Sequence, residues 1–189
     1  MTMHSVVARA ARGELPDWAS ASKKRRAHMA RVADLLGKWA EQVAPAEVER
    51  WRAAGWLHDA LRDASEQELR PIVPAEFQSW PASLLHGPAS AARLQSEGVA
   101  DDDFLNALRF HTLGSPTLQK IGHALYMADF LEPGRTYAPS WRALMRARMP
   151  EHFDEVLRAV ITSRLENTLQ KGSPIRTETA EFWNSVVRR

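Results

Sequence analysis

Four histidines and two aspartates are the residues of this chain whose types and spacing could do chemistry: His28, the adjacent pair His58 and Asp59, His86, His111 and Asp129. Helical spacing directs each of them inward or to a helix end, so several break an otherwise apolar stripe. An imidazole or carboxylate buried among apolar side chains is costly unless compensated, and one shared cation would compensate all of them together. Taken singly, each histidine reads more readily as a hydrogen-bonded core residue than as a ligand, and a neighbouring His-Asp pair is common by chance. Their number carries the argument, because six ligands exceed what one structural tetrahedral ion needs. The chain has no cysteine, which excludes disulfides, sulfur-ligated zinc, iron–sulfur clusters and thiol nucleophiles. A His/Asp set without sulfur suits iron, manganese or zinc.

Helices must bring these residues together. Three-to-four-residue spacing predicts a helix over about Lys23 to Gln42, with His28, Arg31 or Val32, Leu35, Trp39 and Val43 along one side. A second helix follows Pro45 and runs through Val48, Trp51 and Gly55 to His58, and a short one covers Ser65 to Arg70. Pro71, Pro74 and Pro81 mark the irregular stretch beyond it. Pro88 suits a first helical position and Gly98 the residue after a helix end, which puts His86 at a helix N-terminus, where anions are favoured. Asp101 to Asp103 can cap a helix carrying Phe104, Ala107, Leu108 and His111. In the apolar helix Leu118 to Leu131, Asp129 shares a face with Ile121 and Leu125. Helices near Pro139 to Arg148 and Glu151 to Gln170 and a last turn or helix over Thr177 to Val187 complete the chain. An opening helix or turn is expected near Glu14 to Ser20, with His4 in a disordered end. No alternating strand, hairpin signal or repeat interrupts this pattern. The expected fold is all-α, a helical bundle in a single domain, with residues 1–20 as an N-terminal extension and 21–189 as the domain including the C-terminal helices.

Charge narrows the partners. Lys plus Arg number 25 against 23 Asp plus Glu, so no strong field favours nucleic acid or an acidic membrane. Lys23 to Arg26 is the best feature that a nucleic-acid reading has, and it reads as a solvated first helical turn. No run of roughly 18 apolar residues suggests a membrane span. The N-terminal segment does not read as a secretory signal, and the expected location is cytoplasmic. A homo-oligomer is left open.

The order His28, His58-Asp59, Asp129 resembles the HD superfamily of metal-dependent phosphohydrolases. The blocks LLHGPASAA, ALRFHTLGSP and LYMADFLEPGR, with the tail TLQKGSPIRTET, look like the YqeK family of HD-domain proteins, the symmetrical bis(5′-nucleosyl)-tetraphosphatases. The likeness runs from about Arg25 to Val187. Arg62 stands where that family usually has Lys, Gly122-His123 replaces a more usual acidic-basic pair, and Arg176 stands where His is common; these departures bear on substrate preference more than on metal binding.

The resemblance implies an HD-domain bundle in which His28, His58, Asp59 and Asp129 hold a divalent or trivalent ion. Iron is favoured, with manganese or zinc as alternatives, and His86 and His111 face the phosphates or a second metal. Asp59 or Asp129 would orient or deprotonate a water activated by the cation, and Asp59, His86 and His111 are the expected catalytic residues. Arg31, one turn after His28, and Arg135, after Asp129, are placed to meet phosphate. Arg62 and the turn from Gly172 to Arg176 are further candidates for the substrate, although each also reads as ordinary surface. The implied reaction cleaves diadenosine tetraphosphate, or a related dinucleoside polyphosphate, into two nucleoside diphosphates, ADP in the first case. The rival readings are an HD-type mononucleotide phosphohydrolase and a non-catalytic nucleotide-binding or RNA-associated module that keeps the metal for folding.

Overall fold

The structure, a computed structural model describing residues 3–188, has ten α-helices and no strand among the described residues. In chain order these are α1 Ser5–Ala11, α2 Lys23–Val43, α3 Val48–Leu57, α4 Glu66–Leu69, α5 His86–Ser96, α6 Asp102–Phe110, α7 Lys120–Leu131, α8 Pro139–Ala147, α9 Phe153–Gln170 and α10 Thr177–Val187. The all-α expectation holds.

Local chemistry explains where these helices begin. Ser22 caps α2 by accepting from the Arg25 amide, and Asp101 caps α6 by accepting from Phe104. Ser65 and Glu68 form a reciprocal capping box that allows α4 to exist as a single turn. The inward stripe of α2 carries His28, Met29, Val32, Ala33, Leu36, Trp39 and Ala40. Helix α7 is apolar on nearly every side, as befits a helix covered all round, and it packs against α2, α3, α6, α8 and α9. A second, smaller apolar cluster gathers Leu61, Leu69, Val73, Phe77, Trp80, Leu85 and Ala89 beneath the proline-rich stretch.

The helix or turn expected near Glu14 to Ser20 is a turn, in which the Ala19 amide donates to the Pro16 carbonyl at 2.9 Å, and a helix that the spacing did not indicate precedes it at Ser5–Ala11. One expectation is corrected. His4 is not in a disordered end: its ring caps α1 by accepting from the Val6 amide. Val7, Ala10 and Ala11 are buried where α1 packs on α3, so apolar burial orders this segment.

Two close helix crossings position the chemistry. A Cβ on Gly55 would lie 2.5 Å from Ala33 Cα, so only glycine lets α3 approach α2 closely enough to bring His58 beside His28. A Cβ on Gly87 would lie 2.6 Å from the Leu108 carbonyl oxygen and 3.2 Å from His111 Cε1. The absence of a side chain there lets the start of α5 meet the end of α6.

Candidate metal centre and active site

Each chemistry-bearing residue sits at or near a helix end. His28 lies in the second turn of α2, His58 caps the C-terminus of α3 with Asp59 next in the chain, and His86 opens α5. His111 caps the C-terminus of α6, and Asp129 lies in the last turn of α7. All six converge. The candidate ligand atoms of His28, His58 and Asp129 lie within 4.8 Å of one another, as do those of His58, Asp59 and His111.

Asp59 stands in the middle. Its Oδ2 is 3.6 Å from Nε2 of both His28 and His58, while its Oδ1 is 3.2 Å from His86 Nε2 and 3.6 Å from His111 Nε2. His28 Nε2 is 3.2 Å from Asp129 Oδ1 and 3.3 Å from His58 Nε2, and the Nε2 atoms of His86 and His111 are 3.1 Å apart. One carboxylate therefore faces two histidine pairs, one through each oxygen.

The hydrogen bonds on the far sides of the rings show that this set suits a cation. His58 Nδ1 donates to the Gly55 carbonyl at 2.9 Å and His111 Nδ1 to the Leu108 carbonyl at 2.8 Å. A carbonyl oxygen has no proton to give, so in each neutral ring the proton is on Nδ1 and a lone pair is left on Nε2. Those lone pairs face the oxygens of Asp59, an acceptor opposite an acceptor; the Thr112 hydroxyl, 3.1 Å from His111 Nε2, can donate to one of them, and a cation between the rings and Asp59 would resolve the conflict for both. His28 Nδ1 is similarly occupied by Glu132 Oε1 at 3.1 Å. His86 Nδ1 is buried without a hydrogen-bond partner, which leaves its Nε2 as the only engaged nitrogen.

Protonation states agree with this arrangement. Burial pushes His58 down to about 4 and also lowers His86, so both are neutral near pH 7. Burial opposes the charge on Asp59, but in acid, where the adjoining imidazoles carry protons, their charge and hydrogen bonds outweigh it and hold the carboxyl well below its ordinary value. Asp129 is held down in the same way, by its hydrogen bond with His28 and the charge of Arg135. For His28, burial is outweighed by bonds to Asp129 and Glu132, which raise its pKa.

The arginines divide into several roles. Arg135 Nη2 donates to Asp129 Oδ1 at 2.6 Å. Arg31 reaches the cluster at one remove, giving its Nε to Glu132 Oε2 at 2.5 Å while Glu132 holds His28. Arg62 is half-buried, and its charge helps to keep His86 neutral. Gly172 is exposed, with nothing within 4 Å of where its Cβ would be; Arg176 pairs with Glu178 at 3.3 Å and lies over Trp80. The reading of Lys23 to Arg26 as a solvated turn is corrected at one position. Arg25 Nη1 donates to Asp59 Oδ2 at 2.6 Å, while Arg26 turns back to the Ala21 carbonyl.

Sequence reasoning missed Arg25 as a partner of Asp59 and Glu132 as a partner of His28. For Glu132 a signal existed: it follows Asp129 by three residues, within helical reach of the same partners. A larger cavity of about 640 Å³, lined by Met3, Val7, Val48, Val99 and their neighbours, includes none of the six converging residues.

Comparison with known proteins extends this geometry. The pattern described as HD domain matches residues 25–158, which begins at Arg25 and takes in all six ligand candidates. The chain belongs to the HD-domain family. This HD-domain protein is 32% identical over 134 residues to "Bis(5'-nucleosyl)-tetraphosphatase, symmetrical" from Staphylococcus aureus, covering 68% of the chain and 66% of that relative. To the protein of the same name from Halalkalibacterium halodurans it is 27% identical over 152 residues, covering 75% of the chain and 78% of the relative. Its fold matches a crystal structure from Clostridium acetobutylicum described as a "predicted HD superfamily hydrolase involved in NAD metabolism", with TM-score 0.76 at 24% identity, covering 100% of this chain and 99% of the other. Among the described residues of the HD-domain protein, no helix is long and apolar enough to cross a membrane.

Proposed function

We propose that this protein hydrolyses diadenosine tetraphosphate, or a closely related dinucleoside polyphosphate, symmetrically, adding one water across the central anhydride bond to leave two nucleoside diphosphates. The observation that carries a metal-dependent hydrolysis is Asp59, which offers one oxygen to His28 and His58 and the other to His86 and His111. The choice of substrate is supported by the relatives named symmetrical bis(5'-nucleosyl)-tetraphosphatase.

His28, His58, Asp59 and Asp129 would hold one cation, and Asp59, His86 and His111 a second. We favour iron, with manganese or zinc as alternatives. Such cations lower the pKa of a water molecule and polarise a phosphoryl oxygen. The protein supplies orientation and charge. Carbonyl bonds to His58 and His111 fix their rings, Arg25 holds the Oδ2 side of Asp59, and Arg135 beside Asp129 can make paired contacts to phosphate oxygens. Asp59 is ionised at neutral pH, and Asp59 or Asp129 would orient the attacking water or take its proton. We assign the reaction to the cytoplasm.

The test is to incubate purified protein of measured metal content with diadenosine tetraphosphate, alongside a chelated control, and to separate the products. Metal-dependent release of ADP alone is expected. ATP with AMP, or turnover of mononucleotides only, would overturn the symmetrical reaction.

A further inference from the structure

Beside Asp129 a cavity of about 370 Å³ opens between α7, α8, α9 and α10, with Arg135, Arg142, Arg164, Asn167 and Thr179 among its walls. Its cations outnumber its acids. Arg142 is only 5% exposed. Its Nε donates to the Tyr137 carbonyl at 2.6 Å and its guanidinium lies 3.9 Å from the Phe130 ring centroid, but its buried Nη1 has no hydrogen-bond partner. Arg164 gives Nη2 to the Thr112 carbonyl at 2.7 Å and lies 4.5 Å from the Tyr126 centroid. Its nearest acid is Asp129, whose Oδ2 is 3.9 Å from Nη1. Arg135 draws on the same aspartate and stands 3.7 Å from Glu132, which is already committed to His28 and Arg31.

A buried guanidinium with an unsatisfied N–H is costly unless an acceptor reaches it, and a buried cation asks for an anion. Here the one carboxylate in the cavity wall also belongs to the candidate metal ligands, so a cation at the centre would draw on its charge and leave the arginines short of a counter-ion. Both guanidiniums lie over aromatic rings, which restricts them and pre-organises them for oxygens arranged as in a phosphate. Thr112, next to His111, closes the cavity on the side of the second histidine pair.

We propose that Arg142 and Arg164 bind a phosphate or diphosphate group of the nucleotide, in the cavity between α7, α8, α9 and α10. Neither residue was implicated by the sequence. The Gly172 to Arg176 turn, which was, has Gly172 exposed and Arg176 engaged by Glu178 and Trp80. The inference takes from the proposed function only the identity of the nucleotide; an anion site is required by the arginines themselves.

The test is calorimetric titration of the purified, metal-matched protein with pyrophosphate, ADP and adenosine, using wild type, Arg142→Gln and Arg164→Gln. Arg52→Gln, which removes an exposed charge paired with Asp34, controls for net charge. Each cavity variant should weaken pyrophosphate and ADP about 10- to 100-fold, with a shallower dependence on salt, while Arg52→Gln binds as wild type does. Unchanged affinity for both probes in variants of wild-type metal content and melting temperature overturns the proposal. If Arg142→Gln does not fold, Arg164→Gln decides alone, since its side chain is 20% exposed and is not shut into the core. Hydrolysis of diadenosine tetraphosphate is measured on the same samples. Loss of pyrophosphate binding in the variants without turnover by wild type supports this site and sinks the proposed reaction; turnover with unchanged affinities and KM does the reverse.

Discussion

Glu132 Oε1 lies 3.1 Å from His28 Nδ1, and the other carboxylate oxygen accepts from Arg31 Nε and from the Gly134 amide at 2.6 Å. Burial works against the charge on Glu132, yet these partners bring its pKa down to about 2, so the group is a fixed anion behind a candidate ligand. It sets the ring orientation of His28 and raises the basicity of the nitrogen on the opposite side.

Glu132→Gln is therefore expected to weaken metal binding about 10- to 100-fold, with little change in helical content. Metal titration followed by inductively coupled plasma analysis checks this. Wild-type affinity in the variant would show that the Glu132 contact is only structural.

Asp59 and Arg135 should fail differently. Asp59→Ala removes the residue shared by both histidine pairs and is expected to abolish turnover and lower metal content together. Arg135→Ala should retain metal and raise KM about 10-fold or more, the scale of one lost charge-assisted bond. Steady-state kinetics with metal analysis on each preparation separates the two outcomes, and full activity in Asp59→Ala would falsify the site.

Gly55→Ala tests the helix crossing that brings His58 to His28. The added methyl would meet Ala33 Cα at 2.5 Å, a backbone atom that cannot step aside. A loss of about 1–3 kcal/mol is expected from such overpacking, read as a lower urea midpoint with an unchanged slope. Metal affinity should fall as well, because α3 can only relieve the contact by carrying His58 away.

Acid stability should depend on Asp101. Burial raises its pKa, but two bonds from Arg50, at 2.7 and 2.8 Å, and the Phe104 amide outweigh this and leave it below the ordinary value. A carboxyl with a lower pKa in the folded state contributes stability that is fully present above its unfolded pKa, about 4, and is lost as pH falls through the folded value. Asp101→Asn keeps the helix cap and deletes the charge. Wild type should exceed the variant in unfolding free energy at neutral pH, and the gap should close on acidification. A pH-independent gap would assign the contribution to shape alone.

The bounds of α2, α7 and α10 were legible because each follows from local rules. A three-to-four-residue apolar rhythm and the glycine and proline punctuation act over one or two turns of chain. The same rhythm showed that His28, His111 and Asp129 face inward, since a side chain's face depends only on its position along its own helix. Helix α1 was not legible. It is seven residues long, too short to be stable alone, and it exists because Val7, Ala10 and Ala11 are buried against α3.

The sequence by itself thus determined the helical class, the six candidate ligands and the inward direction of His28, His111 and Asp129. Only the tertiary structure decided that Asp59 faces two histidine pairs, that Arg25 holds Asp59, that Arg31 works through Glu132, and that Arg142 and Arg164 meet in a cavity beside Asp129. These pairings join residues up to 104 positions apart in the chain. Helical periodicity says which way a side chain points; which partner it meets depends on how closely and at what angle the helices cross, and here that turns on the missing Cβ atoms of Gly55 and Gly87.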